Sequence, residues 1–318
     1  MDWETWRFVI GVTLPNLLLL LAGIILRRSG LMNDTFIDGA SKIVFVVALP
    51  CLLFFSIATQ KISLSQNLPL ALYGLVGTTL SWLLLELVAP LLVKERKERG
   101  IFVQGGFRAN TAIVGLAYAS MAYGKAGIAI GSLYMATTVI LFNLLSVISL
   151  TRSLQGNGKK APSPVSILQG VIKNPLIISL VAGLAWNATG FTIPHPITQT
   201  GELISATALP LAMMCAGASL DLRSMFRSSN TALYSTLARV AVVPAGLTFG
   251  GWLCGFEGTT LGVIFLFSAT PAAAASYVMT RAMGGNAVLA ANIIGLTMVG
   301  SIVTTSLGLF ILRSLNLG

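Results

Sequence analysis

The chain has 318 residues, of which 55% are hydrophobic and only 9% charged, with a net charge of +10. A water-soluble protein carries about a quarter charged residues, so this composition excludes a chain that must cover its surface with polar groups and predicts an all-α polytopic membrane protein. The positive charges lie between apolar runs and not on a basic face interleaved with aromatics, which argues against nucleic acid as a partner and for a lipid bilayer.

The first apolar run, from near Phe8 to Leu26, is long enough to cross a bilayer. Arg27 and Arg28 follow it instead of a small-residue cleavage site, so it is read as a retained helix. Apolar windows predict ten spans, starting near residues 8, 36, 69, 101, 126, 168, 198, 229, 258 and 286. With both termini on one side, the connections after odd-numbered spans carry Arg27, Arg28, Lys42, Lys94, Arg96, Lys97, Arg99, Arg152, Lys159, Lys160, Lys173, Arg223, Arg227 and Arg281. The opposite side carries Arg7, Lys61, Lys125 and Arg313. Fourteen against four predicts a multi-pass protein of the cell membrane with both termini extracytoplasmic. The longest connection, "TRSLQGNGKKAPSP", is then a hydrated cytoplasmic linker, residues 151–167, between halves 1–150 and 168–318.

The halves repeat at an offset of 160 residues: Pro15 meets Pro175, "ALP" at 48–50 meets "ALP" at 208–210, Gly124 meets Gly284, and Thr137 meets Thr297. Each half has five spans, an odd number, so the second enters the membrane upside down. The expected fold is two inverted five-helix repeats. Its fourth span holds "GGFRANTAIVG", residues 105–115, and its ninth holds "FSATPAAAAS", residues 267–276. Both read as helix breaks, because Gly105 and Gly106 loosen one helix and Pro271 frees the Phe267 carbonyl in the other. Freed backbone groups in hydrocarbon must meet each other or water, so the fourth and ninth spans are expected to cross. Second half-helices starting near Ala112 and Ala272 would aim their positive ends at the crossing, which with Arg108 favours an anion.

The candidate substrate-binding residues are Arg108, Asn110, Thr111, Thr270 and Pro271, with Asn16, Ser56 and Ala272 as candidate secondary contacts. An arginine at a helix centre costs roughly 2.5–3.5 kcal/mol on insertion scales, which argues for function, although snorkelling from near the cytoplasmic end is the competing reading. Asn110 offers donors and an acceptor beside a break. Thr111 and Thr270 can bond back to their own helices, and Pro271 is more a cause of the break than a ligand contact. Pro50 and Pro210 are expected to kink the second and seventh spans. Arg239 is expected to snorkel or pair with Glu257, and Glu86 to form a structural pair or sit at the interface in preference to relaying protons. His195 reads as a solvated loop residue. Cys51, Cys215 and Cys254 show no metal spacing, and no metal or cofactor is expected.

The segments "ALPCLLFFSIA" (48–58), "FRANTAIVGLAYASMAYG" (107–124) and "TPAAAASYVMTRAMGGNAVLAANII" (270–294) resemble the auxin efflux carrier family, in its bacterial permease branch. The resemblance spans nearly the whole chain. It implies crossing fourth and ninth spans, a panel of the first, second, sixth and seventh, and elevator-type alternating access. One departure is that plant members place proline in both crossovers, whereas here the fourth span has Asn110 and Thr111. The bile acid sodium symporter family is similar more distantly, but its acidic sodium ligands have no counterpart in either break. The expected function is secondary transport of a small organic anion such as a mono- or dicarboxylate. A receptor or sensor built on a transporter fold, and a channel, are the alternatives. A membrane enzyme lacks its nucleophile, base or metal cluster here. The coupling ion, H+ or Na+, stays open, and a second copy of the chain is a candidate partner for the apolar panel.

Overall fold

In hydrocarbon each backbone N–H and C=O needs a partner, and a helix supplies it from within the same segment, which drives long apolar runs into helices. The computed structural model describes residues 3–59, 68–154, 169, 172–220, 230–315 and 317, and among these it contains helices and no strand. In chain order they are α1 (Trp3–Arg28), α2 (Asp34–Ile43), α3 (Leu49–Ala58), α4 (Leu68–Leu92), α5 (Arg96–Phe107) and α6 (Leu116–Leu154). The second part has α7 (Pro175–Thr189), α8 (His195–Ala206), α9 (Ala208–Ala218), α10 (Asn230–Leu237), α11 (Val243–Leu253), α12 (Gly258–Ser268), α13 (Ala275–Ala282) and α14 (Ala287–Ser314). Six stretches among the described residues are long and apolar enough to cross a membrane: Asp34–Phe55, Leu68–Leu92, Ala126–Leu154, His195–Ala218, Asn230–Leu253 and Ala287–Ser314. Leu84, Leu87 and Leu91 of α4 are exposed by 62%, 73% and 82%, a face suited to lipid and not to water.

Wide π-helical turns interrupt three helical runs, at Val44–Ala48, Thr111–Gly115 and Ala238–Val242. Two of them precede prolines, Pro50 and Pro244, whose rings would clash with the carbonyls of Val46 and Val240 in a regular helix. Widening the turn relieves that clash and turns side chains inward. Pro210 is accommodated differently, by the break at Thr207 between α8 and α9.

Several expected boundaries shift. The sixth span, expected near residue 168, has its helix α7 begin at Pro175, because Asn174 is an N-cap whose side chain accepts from the Leu176 N–H at 3.0 Å. The fourth and fifth spans are expected as separate helices, and α6 runs through both with a single break at Gly124, where φ is +59°. Gly124 and Gly284 (φ +79°), and likewise Gly30 (φ +82°) and Gly190 (φ +70°), are pairs at the 160-residue offset. All four hold the left-handed backbone that glycine adopts without a Cβ penalty. Residues 155–168 and 170–171, most of the linker segment, lie outside the described residues.

Small residues set the closest helix contact. A Cβ on Gly23 of α1 would lie 2.1 Å from the Met214 carbonyl oxygen, and one on Gly217 of α9 would lie 2.1 Å from the Leu20 carbonyl oxygen. The two backbones therefore touch, the packing that lipid-embedded helices use in place of hydrophobic drive. Polar contacts tie several of the basic connections to their neighbours. Arg27 pairs with Asp34 at 3.0 Å, Arg281 with Asp38 at 2.8 Å, and Arg96 donates to the Arg152 carbonyl at 3.1 Å.

Candidate functional site

Helix α5 stops at Phe107 and the chain runs extended through Arg108 before the turn at Thr111. Helix α12 stops at Ser268, and the chain re-enters helix only at Ala275, three residues later than the expected start at Ala272. The intervening residues are used in the crossing. Ala109 and Ala272 form an isolated antiparallel bridge, in which the Asn110 N–H donates to the Pro271 carbonyl at 3.0 Å and the Ala273 N–H donates to the Arg108 carbonyl at 3.2 Å. The two breaks thus satisfy one another, as burial requires. The carbonyl that Pro271 frees on Phe267 accepts from the Thr270 hydroxyl at 3.0 Å, and the Ala272 N–H donates to the Thr297 hydroxyl at 3.1 Å. The Gln104 carboxamide, wholly buried, accepts from the Thr280 hydroxyl at 3.2 Å and ties α5 to α13.

A cavity of about 110 Å³ lies beside the bridge, bordered by Arg108 to Thr111, by Phe142 and Asn143 of α6, and by Ala273 to Ala275 at the start of α13. Leu49, Leu52 and Leu53 of α3 and Leu209 and Ala212 of α9 close its apolar side. Arg108 is 5% exposed, so it does not snorkel; it donates to the Asn143 side-chain oxygen at 2.8 Å and to the Met279 sulfur. Among the described residues no carboxylate pairs with it. A buried, hydrogen-bonded but uncompensated cation is costly, and an anion in the cavity would offset that cost. Asn110 Nδ2 and Thr111 Oγ1 are buried and have no hydrogen-bond partner among the described residues.

Three of the five principal candidates, Arg108, Asn110 and Thr111, therefore share the cavity wall. Thr270 and Pro271 do not line it; they are buried in the crossing, and Ala272 is held in the bridge at 1% exposure. The side chains of Asn16 and Ser56 lie outside the described residues. Sequence reasoning missed Asn143, a lone amide in the apolar run "VILFNLLS", which carries the same kind of signal as Asn110 without a nearby break to mark it.

Arg239 corrects an expectation. It neither snorkels nor pairs with Glu257: it is 1% exposed and donates to the Phe107 carbonyl at 2.7 Å and to the Ser268 carbonyl. These are the last residues of α5 and α12, so one guanidinium caps both broken helices at their negative ends. The sequence signal was present in Pro244, five residues on, which forces the wide turn that holds Arg239 inward. Glu86 forms a structural pair, accepting from Arg152 at 2.6 Å and from the Ser149 hydroxyl at 2.6 Å. His195 is exposed at the start of α8. Among the described residues no three His, Cys, Asp or Glu side chains gather to hold a metal ion.

A family model described as "Membrane transport protein" matches residues 8–309. The chain belongs to this family, that of the auxin efflux carriers. Among its relatives are an uncharacterized transporter of Methanothermobacter thermautotrophicus, 24% identical over 266 residues, covering 82% of this chain and 84% of the relative. A second, from Methanocaldococcus jannaschii, is 24% identical over 284 residues, covering 85% and 88%. The transporter is a multi-pass membrane protein and not an enzyme, and among its described residues the crossing and its cavity bring Arg108, Asn110, Thr111 and Asn143 together.

Proposed function

We propose that this transporter is a secondary carrier of a small organic anion, a mono- or dicarboxylate, bound at the crossing of two broken helices. The observation that carries the reading is Arg108: a buried guanidinium on a cavity wall with no carboxylate partner among the described residues, beside the open Nδ2 of Asn110. The starts of the second half-helices, at Thr111 and Ala275, border the same cavity and add positive potential where an anion would sit. At about 110 Å³ the space suits a compact acid and not a drug-sized ligand.

The carrier is read as ten crossings in two inverted five-helix repeats, residues 1–150 and 168–318, with the 151–167 linker cytoplasmic and both termini extracytoplasmic. Support comes from the paired left-handed glycines at the 160-residue offset and from a bridge that brings Asn110 and Thr111, at one repeat position, against their equivalents Thr270 and Pro271. Movement of the crossing against the panel that holds Leu49, Leu53 and Ala212 would give elevator-type access, since the cavity lies between them. Flux of labelled carboxylates in liposomes tests the reading. A carrier saturates and shows counterflow, a channel does not saturate, and a sensor binds without flux.

A further inference from the structure

We propose that the Arg239 guanidinium is the resident cation of this crossing, standing where a coupling sodium ion would otherwise bind, so that the transporter works without sodium. In transporters built on discontinuous helices, the C-terminal ends and unwound carbonyls of the half-helices coordinate the coupling cation, while their N-terminal ends face the anionic substrate. Here the two C-terminal ends converge on one group. Phe107, the last residue of α5, and Ser268, the last residue of α12, both give their carbonyls to Arg239. Each helix end carries about half a negative charge, so the pair neutralises about one positive charge, which a single guanidinium supplies as fully as a sodium ion does.

The surroundings carry the argument further. A small void beside Arg239, mostly apolar in its lining, has Thr78, Ser81 and Thr111 on its wall, and the Thr111 hydroxyl has no partner among the described residues. The hydroxyls of these side chains and the two carbonyls are neutral oxygens, the donor type that a hard cation takes. The set holds no carboxylate, so nothing remains to balance a second positive charge next to Arg239. The guanidinium is also covalently delivered: Arg239 sits in the wide turn Ala238–Val242, wholly enclosed, and cannot leave with the cargo. The crossing is therefore electrically divided. Its negative side is filled by Arg239, and its positive side, with Arg108, is left for the anion.

This inference rests on the carrier reading for its meaning in transport, but it is tested without substrate. Purified protein is unfolded by heat in sodium chloride and in N-methylglucamine chloride at equal ionic strength, for wild type, Arg239→Ala and Arg239→Lys. The wild-type midpoint is expected to be the same in both salts. Arg239→Ala should melt lower in N-methylglucamine and recover by a few degrees with sodium in a saturable way, as for a ligand that binds only the folded state. Arg239→Lys, which retains a tethered cation, should be lower than wild type and indifferent to sodium. A saturable sodium response of the wild type overturns the proposal, and that measurement stands even if Arg239→Ala fails to fold. An Arg239→Ala protein that folds and ignores sodium also overturns it, because Arg239 is then a helix cap alone. Failure of the carrier reading would show separately, as absent carboxylate flux with these midpoints unchanged.

Discussion

Replacing Asn110 by alanine should move substrate affinity and unliganded stability in different directions. The substitution leaves the backbone bond from residue 110 to the Pro271 carbonyl, 3.0 Å long, in place, so the bridge between the two breaks survives. What it removes is a side chain 6% exposed whose Nδ2 has no hydrogen-bond partner among the described residues. Leaving a buried amide donor unsatisfied costs about 1–3 kcal/mol, so its deletion in the empty protein is neutral or stabilising once the small cavity left behind is counted. In the complex the same donor bonds the carboxylate, and its loss costs affinity by about 1–3 kcal/mol, or roughly 5- to 150-fold. A thermal-shift screen of mono- and dicarboxylates on the purified wild type supplies the ligand, since binding to the folded state alone raises the midpoint. Calorimetric titration of that ligand into both proteins then gives the affinity ratio, and melting without ligand gives the stability. A variant that melts lower but binds as tightly as wild type would refute the reasoning, because Asn110 would then be holding the break and not the substrate.

Arg108→Met should abolish binding of carboxylates while leaving a neutral amide analogue less affected, and parallel titrations of the two ligands check it; equal losses would remove the charge argument. Asn143→Leu takes away the 2.8 Å acceptor of the Arg108 guanidinium and should cost about 1.5–3 kcal/mol of stability, less when Arg108→Met is already present, as a double-mutant cycle by thermal unfolding would read. Gly217→Ala brings a Cβ to 2.1 Å from the Leu20 carbonyl oxygen, so α1 and α9 must part, lowering stability by about 1–3 kcal/mol in the same assay. Cys254 is exposed just beyond α11, and on the proposed orientation, which puts this end outside, a membrane-impermeant maleimide should label it on intact cells. Labelling that needs permeabilised cells would invert the orientation.

Composition and periodicity were enough to determine the helical, membrane-embedded character of this chain, because a helix satisfies the backbone of a long apolar run from within the run itself. The breaks were legible for a local reason as well: Gly105, Gly106 and Pro271 weaken a helix through their own covalent geometry, whatever surrounds them. The three-residue delay before α13 was not legible, because residues 272–274 are drawn from helix into the bridge by a partner more than 160 positions away. The same limit explains the site. Asn110 and Arg108 stood out as polar residues beside a local break, but Asn143 became part of the site only when α6 folded back against α5, and Thr270 and Pro271 turned into the crossing and away from the cavity. Arg239 shows the limit most plainly. Sequence offered a nearby acid, Glu257, as its partner, whereas the fold brought it two helix ends whose charge is a sum over aligned peptide dipoles and belongs to no residue that a sequence can name.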